Sequence, residues 1–158
     1  MASPEEVRLW LQNRHIDVLE FDQQTATAAT AADAVGCSLA EIAKTLLFLV
    51  GGSPVAVVTS GDMKVKNSLL KSYFNLSGKV VLPGEEQVRQ FTGYAPGGVC
   101  PFMLPADLPL VLDVSLQRFV KIYPAAGDDC SAVPMSPVQL QQLTAADFAH
   151  LCEPALRS

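Results

Sequence analysis

A chain of 158 residues, 49% hydrophobic and 17% charged, is long and apolar enough to bury a full core, so residues 1–158 are expected to form one domain. Its net charge of −5 argues against a general nucleic-acid binder, which carries a basic surplus, while leaving room for a local basic patch. The opening Met-Ala-Ser-Pro-Glu-Glu is acidic and no apolar run is long enough to span a bilayer, so neither export nor a membrane span is expected and the protein is assigned to the cytoplasm.

Ser3-Pro4-Glu5-Glu6 has the form of a capping box with proline at the first helical position, and Val7, Leu9, Trp10 and Leu11 follow as an apolar face; a short helix is predicted. Residues 17–21 read as a strand. The alanine-rich run 30–35, capped by Thr30 and stopped by Gly36, reads as a second helix. Ser38-Leu-Ala-Glu41 matches a capping box again, which leaves the next segment ambiguous at its start, and a strand is expected over about 44–50. The turn Gly51-Gly52-Ser53-Pro54 and the β-rich run 55–59 complete an antiparallel hairpin with Lys44 at its entry.

Residues 65–74 have near-helical apolar spacing, 79–82 read as a strand, and 85–91 follow Pro83-Gly84 as a helix. Further strands are predicted at 110–113, 119–123 and 131–135. Pro137 opens a helix, and Thr144-Ala-Ala-Asp147 reads as the start of another. This order is not a strict β-α-β alternation. The expected fold class is α+β: a mixed, barrel-like curled β-sheet surrounded by helices.

Residues 92–102 read Thr-Gly-Tyr-Ala-Pro-Gly-Gly-Val-Cys-Pro-Phe. Gly93, Gly97 and Gly98 accept unusual backbone angles while Pro96 and Pro101 fix φ, so the loop should be rigid. Successive glycine amides can cradle an oxygen that gains negative charge, and the same residues would equally serve a tight structural turn. Upstream, Lys44 stands in Ile-Ala-Lys-Thr-Leu-Leu-Phe. Its ammonium either works in a cleft or snorkels to water from an edge.

Other chemistry has less support. His15 and His150 lie outside both segments, so a histidine-backed nucleophile is not indicated. Cys37, Cys100, Cys130 and Cys152 are scattered, which predicts reduced thiols and no metal site, and Cys100, between Val99 and Pro101, reads as a small buried side chain. Asp113, at the end of Val111-Leu112, reads as a turn cap. Lys64, Lys66, Lys71 and Lys79 fall in a stretch without acids that could meet a phosphate backbone or form an ordinary solvated helix face.

Taken together, Ala-Ala-Asp-Ala-Val-Gly before Cys37, the Lys44 segment, the Thr-Gly-Tyr-Ala-Pro-Gly-Gly-Val loop, Val111-Leu112-Asp113 and Ala126-Gly127 resemble the YbaK/ProX family, free-standing relatives of the editing domain of bacterial prolyl-tRNA synthetases. The resemblance implies hydrolysis of the ester bond of a mischarged aminoacyl-tRNA, usually a tRNA for proline. It implies no cofactor, the acceptor end of aminoacyl-tRNA as partner, and prolyl-tRNA synthetase as a further one. By resemblance, Lys44 and Gly97, with Gly98 beside it, carry activity. Phe21, Thr45, Thr92, Gly93, Tyr94, Pro96 and Ala132 would bind substrate.

The chain departs from the family pattern at Met103, where a glycine is usual, adding bulk beside the expected site. Cysteine-removing members place a tyrosine near Phe21 and an aspartate near Ala132. An apolar Phe21 and a small Ala132 suit a small uncharged amino acid such as alanine, and the expected substrate is tRNA for proline carrying an alanine-like residue, or cysteine or serine. The alternative function is a catalytically weak paralogue that holds tRNA or a nucleotide and docks on a synthetase.

Overall fold

In the computed structural model, which describes residues 2–25 and 27–155, local signals start and stop most helices. Helix α1 (Pro4–Gln12) begins at the capping box, with the Glu6 amide on the Ser3 hydroxyl and the Ser3 amide on the Glu6 carboxylate. Strand β1 (Leu19–Glu20) is shorter than the predicted 17–21 and pairs only with a second short strand near residue 131. Helix α2 (Ala28–Val35) starts one turn earlier than expected: Thr27 is the cap and Thr30 its capping-box partner, while Gly36 ends the helix.

A 3-10 turn (Leu39–Glu41) leads into β2 (Ile42–Val50), which resolves the ambiguity at the second capping box by giving each reading its own residues. Strand β2 turns into β3 (Ser53–Ser60) as the predicted antiparallel hairpin, with Lys44 opposite Thr59. Next come β4 (Met63–Val65), helix α3 (Asn67–Phe74), β5 (Val80–Val81) and helix α4 (Glu85–Thr92). The 92–102 loop then leads to β6 (Leu110–Asp113) and a 3-10 turn (Val114–Arg118).

The predicted strand at 119–123 shrinks to β7 (Tyr123–Pro124), and that at 131–135 to β8 (Ser131–Ala132) with an isolated bridge between Ile122 and Met135. Helix α5 (Pro137–Thr144) opens at Pro137 as expected, capped by Ser136. The helix predicted after Thr144 does not form: Ala145 takes a left-handed conformation that terminates α5, and the chain continues as β9 (Asp147–Ala149) and β10 (Cys152–Pro154). Parallel pairing of β9 with β6 supplies hydrogen bonds that local propensity does not reveal.

The fold is α+β. Its main sheet runs β5-β2-β3-β6-β9, with β7 also on β2, and mixes antiparallel with parallel pairs. Among the described residues it stays open at both ends, so the curl does not close a barrel. Alternation along the strands sorts the core by face. Ala43, Val58 and Leu112 face a cluster with Val7, Leu11, Tyr94 and Phe102; Phe48, Val50, Val55, Val57 and Val111 face a second one with Leu70, Leu151 and Cys152.

Asp113 ties the second face together. It is almost fully buried, and its carboxylate accepts the Ser115 amide at 3.0 Å and the Leu151 amide at 2.9 Å. The cap read from sequence is present, and the same side chain also anchors the distant C-terminal segment. Asp113→Asn turns one acceptor into a donor facing an amide, so it should cost about 1–3 kcal/mol of stability, measured by urea denaturation.

Candidate functional site

Strand β2 is paired with β3 along its whole length, but its other edge is covered only at its ends. β7 reaches Ile42 and Ala43, and β5 reaches Leu49 and Val50. Between them, among the described residues, no strand covers 44–48. A cavity of about 230 Å³ opens against this stretch and wraps the edge, lined by the five consecutive residues from Ile42 to Leu46. Helix α2 contributes Ala28 and Ala31, the glycine loop Gly97 and Val99, and the β7–β8 region Ala125, Asp128, Ser131 and Ala132.

Four of the residues singled out in the sequence therefore meet here: Lys44, Thr45, Gly97 and Ala132. Lys44 is half-buried and makes no hydrogen bond or ion pair among the described residues. Burial pushes its ammonium below the usual lysine range, partly opposed by Cys152 and Asp62. Thr45 points to the opposite face of β2 by strand alternation, and its buried hydroxyl has no partner among the described residues. Gly97 holds φ at 86°, a left-handed conformation that disfavours any side chain.

Gly98 does something else. Its amide donates to the Ala95 carbonyl at 2.9 Å, closing a turn, so it is not free to serve as the second donor expected from sequence. A Cβ there would lie 2.8 Å from Asp128 Cα and 2.9 Å from the Gly127 carbonyl oxygen. The residue is a glycine because two backbone segments touch at that point. Gly98, Gly93, Tyr94 and Pro96 instead line a second cavity of about 440 Å³ across the loop.

The remaining expected positions also have structural duties. Thr92 is buried, donating its hydroxyl to Val88 O at 2.6 Å and accepting the Tyr94 amide. Tyr94 is buried too, its hydroxyl donating to the Phe102 carbonyl, which braces the two ends of the loop. Phe21 lines neither cavity and pairs its amide with Cys130 O. Met103, expected to crowd the site, packs on the first core cluster and lines neither cavity.

Asp128 was missed. It lines both cavities, accepts the Ser131 hydroxyl at 2.7 Å, and pairs with Arg8 at 2.9 Å, which also meets Glu20. These bonds hold its carboxyl below the usual range despite partial burial. The only sequence signal was a Gly-Asp-Asp turn shortly before Ser131. Cys100 is fully buried with its thiol pushed up to about 12 by burial, so it stays neutral. Among the described residues no three His, Cys, Asp or Glu side chains lie together as a metal site would require.

A family model of the aminoacyl-tRNA editing domain matches residues 22–143, the span that holds every wall of the first cavity. The chain belongs to this family. The resemblance to YbaK/ProX proteins is thereby sustained, and the editing domain is an aminoacyl-tRNA deacylase. A structure solved as a proposed trans-editing enzyme for prolyl tRNA synthetase superposes with a TM-score of 0.85 at 30% identity, covering 97% of this chain and 98% of that one. The uncharacterized protein YwhH of Bacillus subtilis is 40% identical over 84% of this chain and 83% of its own.

The proline–tRNA ligase of Leuconostoc citreum is 30% identical over 56% of this chain. The match covers only 15% of that ligase, so the editing domain is similar to one part of a much larger synthetase. Among the described residues no helix is long and apolar enough to cross a membrane.

Two substitutions separate packing from chemistry in the loop. Gly98→Ala should lower stability by about 1–3 kcal/mol because the added methyl has nowhere to go, readable as a lower melting temperature. Cys100→Ala should leave the rate of ester hydrolysis within roughly twofold of wild type, since a neutral buried thiol is no nucleophile; single-turnover deacylation measures it.

Proposed function

We propose that this deacylase removes a small uncharged amino acid, alanine foremost, from mischarged tRNA for proline, and does so in the cavity along the open edge of β2. The observation that carries the reading is that one cavity is lined at once by Lys44, Thr45, Gly97 and a set of five alanines: Ala28, Ala31, Ala43, Ala125 and Ala132. Walls built of methyl groups suit a methyl-sized side chain. The Asp128, Ser131 and Thr25 side chains on the same wall already bond to other protein groups.

An aminoacyl ester is already reactive, so the enzyme has to hold it, polarise its carbonyl and admit a water. In this reading the water adds to the carbonyl carbon, and the C–O bond to the ribose then breaks, with the proton passing to the departing oxygen. The Gly97 region faces the oxygen that gains charge. Lys44 supplies a fixed positive charge to that oxygen or to the phosphate of the terminal adenosine, and Ala132 forms part of the amino-acid pocket. Each such donor is worth roughly two to three decades in rate. The work is placed in the cytoplasm, with aminoacyl-tRNA as substrate and prolyl-tRNA synthetase as the associated enzyme.

A second reading, a weak catalyst that mainly binds the acceptor end, is favoured by the Gly98 amide being engaged in its own turn. It predicts a gel shift with intact ester after long incubation.

Lys44→Met tests the assignment. Removing the charge should lower deacylation of alanyl-tRNA for proline about a hundredfold or more. Burial lowers the Lys44 pKa, so the folded state disfavours the charged form. Stability therefore rises with pH through that lowered pKa, and the methionine variant should be no less stable than wild type at neutral pH. The background-corrected rate should fall as pH rises through the same range, below that of ordinary lysine. An unchanged rate in the variant sinks the role of Lys44.

A further inference from the structure

The hydrogen-bonding direction of β2 can be followed residue by residue. The Gly61 amide donates to the Ile42 carbonyl at 2.8 Å, so the even-numbered residues from Ile42 onward turn their peptide groups toward β3. In an antiparallel ladder this alternates strictly, which sends the N–H and C=O of Ala43, Thr45, Leu47 and Leu49 to the other edge. Ala43 meets β7 there and Leu49 meets β5. Thr45 and Leu47 meet no strand among the described residues.

Thr45 is thus doubly unsatisfied. Its backbone N–H and C=O face the gap, where no strand lies among the described residues, and its buried Oγ1 has no hydrogen-bond partner among them. Leaving a buried hydroxyl unpaired is costly, so one beside a cavity and next to an open strand edge points to a ligand that completes both.

Apart from Tyr123, whose hydroxyl makes no hydrogen bond among the described residues, the other polar side chains on the wall are already engaged. The Asp128 carboxylate takes Arg8, Ser131 and the Cys130 amide; the Ser131 hydroxyl gives to Asp128 and accepts the Ala126 amide; the Thr25 hydroxyl gives to Asp129 O, and Thr27 and Thr30 bond each other. Lys44 can only donate. Of the polar groups in an aminoacyl ester, the carbonyl oxygen is matched by donors, whereas the α-ammonium needs acceptors and a place apart from the Lys44 ammonium. Thr45 offers two acceptors, its carbonyl at the open edge and its hydroxyl on the opposite face of the strand from the Lys44 side chain.

We infer that the open edge of β2 at Thr45 is the recognition site for the free α-ammonium of the aminoacyl group, with Thr45 as a specificity-determining residue. The inference rests on the deacylase reading of this cavity. It makes the enzyme selective for aminoacyl esters over esters of the same shape that lack the ammonium.

The test compares alanyl-tRNA with lactyl-tRNA, in which a hydroxyl replaces the ammonium at nearly equal size, each rate being divided by that ester's spontaneous hydrolysis. Wild type should prefer the alanyl ester by roughly tenfold or more, the weight of one or two hydrogen bonds to a charged group. Thr45→Val, which keeps the shape and removes the hydroxyl, should slow the alanyl ester and leave the lactyl ester nearly unchanged, and Thr45→Ser should restore the preference. Equal normalised rates in wild type, or equal slowing of both esters by Thr45→Val, overturn the inference while the deacylase reading stands. No hydrolysis of either ester overturns both.

Discussion

The proposed site depends on a strand left half unpaired. β2 is fully laddered to β3, so its backbone is straight and stiff, yet β7 and β5 clasp only its two ends. An edge of this kind is ordinarily a liability, inviting another strand to add on. Here α2 and the glycine loop flank the stretch and share with it a cavity of about 230 Å³. What remains is a rigid line of polar groups with an ammonium on one face and a hydroxyl on the other.

The loop opposite β2 owes its shape to packing as much as to its own angles. Thr92 caps the end of α4, the Tyr94 hydroxyl reaches Phe102 O, and Gly98 lies against the backbone of Gly127 and Asp128. The loop is thereby fastened to the segment that carries Asp128, Ser131 and Ala132. Two walls of the cavity, distant in sequence, are held at a set separation by a contact that only glycine permits. Arg8 extends the brace to α1 through its pairing with Asp128 and Glu20.

Charge is used sparingly. In a chain of net charge −5, Lys44 sets a half-buried cation beside the cavity, where burial weakens its hold on the proton. Partial burial strengthens the field of that cation and of the peptide dipoles nearby. The same burial makes an unsatisfied group expensive. Thr45 and the ligand that would complete it are therefore coupled more tightly than either would be in solvent.

The short-range features were legible in the residues themselves. Capping boxes at Ser3 and Ser38, the Gly51-Gly52 turn, the cap at Asp113 and the helix opening at Pro137 are local interactions within a few positions, and each formed. The pattern around Lys44 and the glycine loop also sufficed to name the family. Tertiary structure alone decided the rest. Whether residues 145–149 became helix or strand hung on a parallel partner at β6, and whether Gly98 served chemistry or packing hung on Asp128, thirty positions away. That Thr45 would lack a partner depended on where β7 and β5 stop, because pairing along an edge is set by neighbours from other parts of the chain and leaves no mark on the strand's own residues.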